Sequence, residues 1–154
     1  MMFAGRSRPA PDCILNHMAD ALLLIMRWLH IASMATLIGG ILFARLVMAP
    51  AISTLAPEAR EPLAERAAAL FRPFAYAAMA GLVASGTFNL VTRLGHRPMY
   101  HMVLGIKLLF VLHVFSVTIL ALQPANPRRV RMMTGIVISG LVIIAISAWL
   151  GRHY

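Results

Sequence analysis

The sequence predicts an all-α integral membrane protein, a four-helix bundle with a short amphipathic interfacial helix between its first two spans. Composition is the first reason. Of 154 residues, 60% are hydrophobic and only 12% charged, and the mean hydropathy is +0.80. A soluble domain of this size carries about a quarter charged residues and about half apolar ones. This chain has too little polar surface to cover a water-facing globule, which argues against a free-standing soluble enzyme. Distribution is the second reason: the apolar residues gather into four continuous runs rather than alternating with polar ones. A helix needs roughly 17–25 apolar residues to cross the hydrocarbon. Closed barrels, the other structures that span a bilayer, are built of strands instead.

Residues 1–17, with Arg6, Arg8, Pro9 and Pro11, read as a poorly ordered tail before a single four-span domain over 18–154. The tail does not fit a signal peptide, because the apolar stretch after it is too long and no small-residue cleavage site follows. Met18 is an alternative start, since the hydrophobic pattern begins just after it. The first span covers 21–47 and is ended by Pro50. Ala51–Arg72, with Glu58, Arg60, Glu61, Glu65, Arg66 and an alanine run, reads as a surface helix started by Pro57 or Pro62. Pro73 opens the second span, 73–91, at its first turn, where a proline is tolerated. Gly95–Met99 is a tight loop, the third span covers 102–122, Gln123–Arg131 is the next loop, and the fourth span covers 132–150. Gly81 with Ser85, and Gly135 with Ser139, are small residues one turn apart that permit close helix approach.

Charge follows from this layout. The chain has 14 Lys+Arg against 5 Asp+Glu, a formal +9, which in a soluble protein would suggest nucleic acid. Here the arginines lie in loops, tails or the last turns of spans, where lipid headgroups are anionic. The expected partner is the lipid bilayer and not nucleic acid. An even number of spans puts both termini on one side. The counts of arginine on the two sides are nearly level, and the compact Arg128-Arg129-Val130-Arg131 cluster tilts the reading toward termini outside. The implied location is a bacterial inner membrane. Trp28, Tyr100, Trp149 and Tyr154 fall on the terminal side as an aromatic belt. Cys13 is alone, so there is no internal disulfide and no multi-cysteine zinc site.

Ionisable groups inside a bilayer are expensive and mark functional sites. The first span holds Arg27 and His30, the third Lys107 and His113. These two spans run in the same direction, and both histidines lie roughly 13–17 Å from the terminal side at 1.5 Å per residue. Two imidazoles at matched depth suit the axial positions of a b-type haem, with Arg27 and Lys107 pairing its propionates. The plainer alternatives are snorkelling of the two cations to headgroups and an interhelical bond or proton relay for the histidines. Met26, His30 and Met34 share one helical face and offer a copper site, since thioether and imidazole together suit Cu(I). No carboxylate lies in any span, so hydrolase chemistry finds no support.

The first span carries a more specific pattern: Arg27-Trp28-Leu29-His30-Ile31, then Gly39-Gly40, then Phe43-Ala44-Arg45-Leu46-Val47. It resembles the first helix of HemJ-type membrane proteins. Tyr100 followed by Lys107-Leu108-Leu109 is similar to a region shared by HemJ-type and copper-resistance CopD-type proteins. Over residues 21–150 the chain thus resembles the CopD/HemJ-like superfamily. Gly105 stands where the HemJ pattern has a histidine, and Arg131-Met132-Met133 replaces its Asn-Glu entry to the last span. The resemblance implies haem b binding and protoporphyrinogen oxidase-like activity with His30 and Lys107 as the residues that matter, Lys107 in catalysis. It equally implies a CopD-like role in copper transport or resistance. A cofactor-free structural subunit of a larger membrane complex is the third reading, and a homo-oligomer, a porphyrin or an electron-transfer partner fits the first.

Overall fold

The computed structural model describes residues 11–92, 98–124 and 126–153, and all regular structure among them is helical. The chain opens with an unusually long rod. Helix α1 (Pro11–Met34) passes through a π-helical stretch, Ala35–Gly39, into α2 (Gly40–Phe43). A second π-helical stretch, Ala44–Met48, leads into α3 (Ala49–Ser53). Backbone angles at the junction residues Met34, Gly39, Phe43 and Met48 are all right-handed helical, so the rod is continuous. A short turn leads to α4 (Pro57–Val91); α5 (Pro98–Ala121) and α6 (Arg129–His153) complete the fold. Four helical segments are long and apolar enough to cross a membrane: Leu15–Ser53, Pro57–Val91, His101–Ala121 and Arg129–Leu150.

Several boundaries differ from the sequence reading, for local reasons. The rod begins at Pro11, inside the segment assigned to the tail; residues 1–10 lie outside the described residues. Pro50 does not end the first helix. A proline clashes with the carbonyl four residues back, here Leu46, which lies in the π-helical stretch, where the coil is wider. Pro73 does not open a helix either: it sits inside α4, which runs through it unbroken. Membrane helices tolerate such interior prolines because neighbouring helices re-satisfy the freed backbone groups. Residues 57–72, expected to form part of a separate surface helix, are therefore the first half of α4. The loop expected at Gly95–Met99 falls on residues 93–97, which lie outside the described residues, and Pro98 already belongs to α5.

Helix lengths carry a consequence. At 1.5 Å per residue the 39-residue segment is about 58 Å long and α4, at 35 residues, about 52 Å. Both exceed the roughly 30 Å hydrocarbon thickness.

The packing is uneven along the bundle. Helix α1 packs along α4, α5 packs along α6, and α6 meets the rod chiefly over the α2 and π-helical part, Ala35–Met48. The core accordingly gathers around Leu37, Ile41, Ala75, Ala78, Met79, Val114 and Ile136. Lipid tails are as apolar as leucine, so such helices associate through close van der Waals contact, which favours small residues at the seams. A Cβ on Gly81 would collide with the Ser33 hydroxyl and meet Leu29, so Gly81 lets α1 and α4 approach as its spacing to Ser85 predicts. On α6 that part belongs to Gly140, where a Cβ would lie 2.8 Å from Ile38, whereas Gly135 has open space around it.

Candidate functional site

His30 sits on the α1–α4 seam, partly buried, three residues before the point where Ser33 meets Gly81. Its Nδ1 lies 2.9 Å from the Oγ of Ser85. Ser85 is fully buried, and its hydroxyl donates to the Gly81 carbonyl at 2.6 Å. The local cause is a helical habit of serine, which returns its hydroxyl to the carbonyl one turn back. Here the same turn supplies the small residue that brings α1 close enough for the imidazole to reach Ser85. One pair of residues on α4 thus both admits α1 and holds its histidine.

Two methionines flank this contact. Met26 and Met34, one turn before and after His30, are partly buried like it, so the three-residue row lies on the covered side of α1. Lys107 is also partly buried, on the inward row of α5 that continues through Val111, Val114 and Thr118. The first-span histidine and the third-span lysine are thus both partly buried, on helices distant in sequence.

Other candidates lie elsewhere. Arg27 is exposed, off the Met26–His30–Met34 row. His113 is exposed too, one residue from the inward-facing Val114. His17 and His101 are exposed, and His96 lies outside the described residues. Among the described residues, no three His, Cys, Asp or Glu side chains gather into a metal-holding group. A metal at His30 would therefore complete its shell with other donors, the thioethers of Met26 and Met34 or the four nitrogens of a porphyrin.

The chain matches no protein-family model, no curated protein and no solved structure. The site is thus defined by geometry alone. Its centre comprises His30, Ser85 and the Gly81 carbonyl, with Met26 and Met34 on the same side of α1 and Lys107 on the inward row of α5. Ser85 is the functional neighbour that sequence reasoning took for a packing residue only. The usable signal was present: a Gly-x-x-x-Ser turn in one span and a histidine in the preceding one, each roughly half a membrane from the terminal side.

Proposed function

We propose that this chain is an integral membrane haem b protein of the CopD/HemJ-like type, in which His30 would hold the haem iron and the activity is intramembrane electron transfer or porphyrin oxidation. The observation that carries the reading is the His30 imidazole set on the α1–α4 seam, with Nδ1 2.9 Å from the fully buried Ser85 hydroxyl. An imidazole suits haem iron, and an ammonium on a neighbouring span suits a propionate. The residues present fit the group: among the described residues His30 is hydrogen-bonded at Nδ1 and not at Nε2, and Lys107 is partly buried on the inward row of α5. Bound haem would supply one-electron redox chemistry. The protein would anchor the iron through His30 and orient the macrocycle through Lys107. In porphyrin oxidation Lys107 is the residue proposed to touch the substrate. His113 has no part in this reading, because it lies on the exposed side of α5.

The proposed setting is a bacterial inner membrane, spanned four times, with termini outside and the Arg128–Arg131 end inside. Exposed Trp28 and Trp149 near the terminal end, and exposed Arg128 and Arg131 at the other, support that arrangement.

A second reading, copper handling, is favoured by one observation: Met26, His30 and Met34 share the covered side of α1. Purification in detergent, oxidised and dithionite-reduced spectra, and metal analysis separate the two. The expected result is a Soret band that is lost in His30→Ala. A Soret band retained at full strength in that variant would rule out the ligand assignment. Stoichiometric copper without haem would establish the second reading, and neither metal would leave the structural subunit. Porphyrin oxidation is tested by rescue of a strain lacking its own oxidase; failure despite good expression excludes it.

A further inference from the structure

We infer that Ser85 is a positioning residue that fixes the His30 ring with its proton on Nδ1 and its lone pair on Nε2. The argument is a count of protons. A serine hydroxyl has one, and a carbonyl oxygen has none. Ser85 Oγ stands 2.6 Å from the Gly81 carbonyl, with the Leu82 carbonyl further off at 3.4 Å. At 2.6 Å two oxygens without a proton between them would set lone pair against lone pair, so the Ser85 proton points at Gly81. What Oγ then presents to His30, 2.9 Å away, is a lone pair. Only an N–H satisfies it, so Nδ1 carries the proton.

The surroundings make this choice firm. Ser85 is fully buried, so its hydroxyl has no bulk water to exchange partners with. An unpaired polar group there would cost the full desolvation penalty. The free imidazole of a peptide prefers its proton on Nε2. The seam reverses that preference and leaves Nε2, the nitrogen farther from the backbone, as the coordinating atom. Metal-bound histidines generally donate their other N–H to a carboxylate, carbonyl or water. Here a serine relays that bond to a backbone carbonyl, in a part of α4 (residues 73–91) without acidic side chains.

The consequence for the cofactor rests on the haem reading, but the tautomer does not, so the two are measured separately. The probe for the tautomer is the full-length protein labelled with ¹⁵N-histidine in detergent micelles, at a pH where the ring is neutral. His30 signals are assigned by their loss in His30→Gln. The expected pattern is a pyrrole-type shift at Nδ1 and a pyridine-type shift at Nε2. In Ser85→Ala it moves toward the reverse, and in Ser85→Thr, which keeps the hydroxyl, it returns. A proton on Nε2 in the unsubstituted protein overturns the inference, as does an unchanged pattern in a Ser85→Ala protein of normal helicity. Should Ser85→Ala fail to fold, the unsubstituted spectrum alone decides. Haem retention, titrated separately, is expected to fall about 10–100-fold in Ser85→Ala. Full retention in that variant would show that the bond does not position the ligand. A chain that takes up no haem would defeat the proposed function while leaving the tautomer result standing.

Discussion

Thr118 lies on the inward row of α5, fully buried, and its hydroxyl has no hydrogen-bond partner among the described residues. Other threonines here return their hydroxyls to the carbonyl one turn back: Thr36 to Ala32, Thr92 to Phe88 and Thr134 to Val130. An unpaired buried hydroxyl costs roughly 1–3 kcal/mol, and valine has the same branched shape without it. Thr118→Val is therefore expected to stabilise the protein by about 1 kcal/mol, read as a raised midpoint in thermal or detergent unfolding. A lowered midpoint would refute the reading of Thr118 as unpaired. Ser85 is the contrast, equally buried but with both its proton and a lone pair engaged. The site was legible in the sequence to this same residue-level extent. His30 and Lys107 stand out because charge or partial charge in lipid is costly and because parallel spans at matched depth can bring them together. Depth, however, is only a coordinate along the axis. At 3.6 residues per turn a step of one residue rotates a side chain by about 100°, which is why Val114 faces inward while His113 does not. Ser85 was hidden for a related reason: its hydroxyl acquires a meaning only once the helix packed against it is known.

Helix ends show what the arginines do. The last four carbonyls of a helix lack intrahelical partners, and three basic or amide side chains bond to Leu120 and Ala121 at the end of α5 and to Leu122 and Gln123 just past it. Arg72 Nη2 donates to the Leu122 carbonyl at 2.7 Å, Arg129 Nε to Ala121 at 3.2 Å, and Arg129 Nη2 to Gln123 at 3.1 Å. Asn126 Nδ2 donates to Leu120 at 2.7 Å. Cations there also favour the negative end of the helix dipole. Arg129 is buried, whereas its neighbours Arg128 and Arg131 are exposed. The three residues looked alike as a cluster of positive charge, but folding assigns one of them to the protein. Arg129→Ala should cost about 1.5–3 kcal/mol, the range for hydrogen bonds to a charged group, while Arg128→Ala should stay within about 0.5 kcal/mol. Unfolding midpoints of the two variants check this, and equal midpoints would show that the cap is not stabilising. Proline misread the elements at the same scale. Pro50 and Pro73 look like helix boundaries by local steric rules, yet both helices continue, one past a widened π turn and the other within a packed bundle. Those compensations arise outside the residues that flank each proline in sequence.

Across the whole molecule, four apolar runs were enough to read the number of long helices, because run length against bilayer thickness is a counting argument. The packing order was not readable, since it depends on which faces meet. The two hairpins now fix relative directions. The rod turns at 54–56 into α4, and α5 turns at 122–128 into α6. The Arg72–Leu122 bond ties α4 to the far end of α5, and the Arg45 Nε bond to Thr134 Oγ1 at 2.8 Å ties the rod to the start of α6. Both turns therefore lie at one end of the bundle, and the end of α6 lies at the other. Single cysteines introduced into a Cys13→Ser background make this a membrane prediction. Ser53→Cys and Gln123→Cys, both at exposed positions, should react with an impermeant maleimide only after inner-face access is given. Arg152→Cys, exposed near the end of α6, should react in intact cells. Reaction of Gln123→Cys and Arg152→Cys from the same face would contradict a four-span arrangement. The full pattern reversed would keep four spans and invert the proposed orientation. That second outcome has a physical meaning of its own, because it would put Arg128 and Arg131 outside. The positive-inside preference would then have been set by the arginines nearer the termini rather than by the compact cluster.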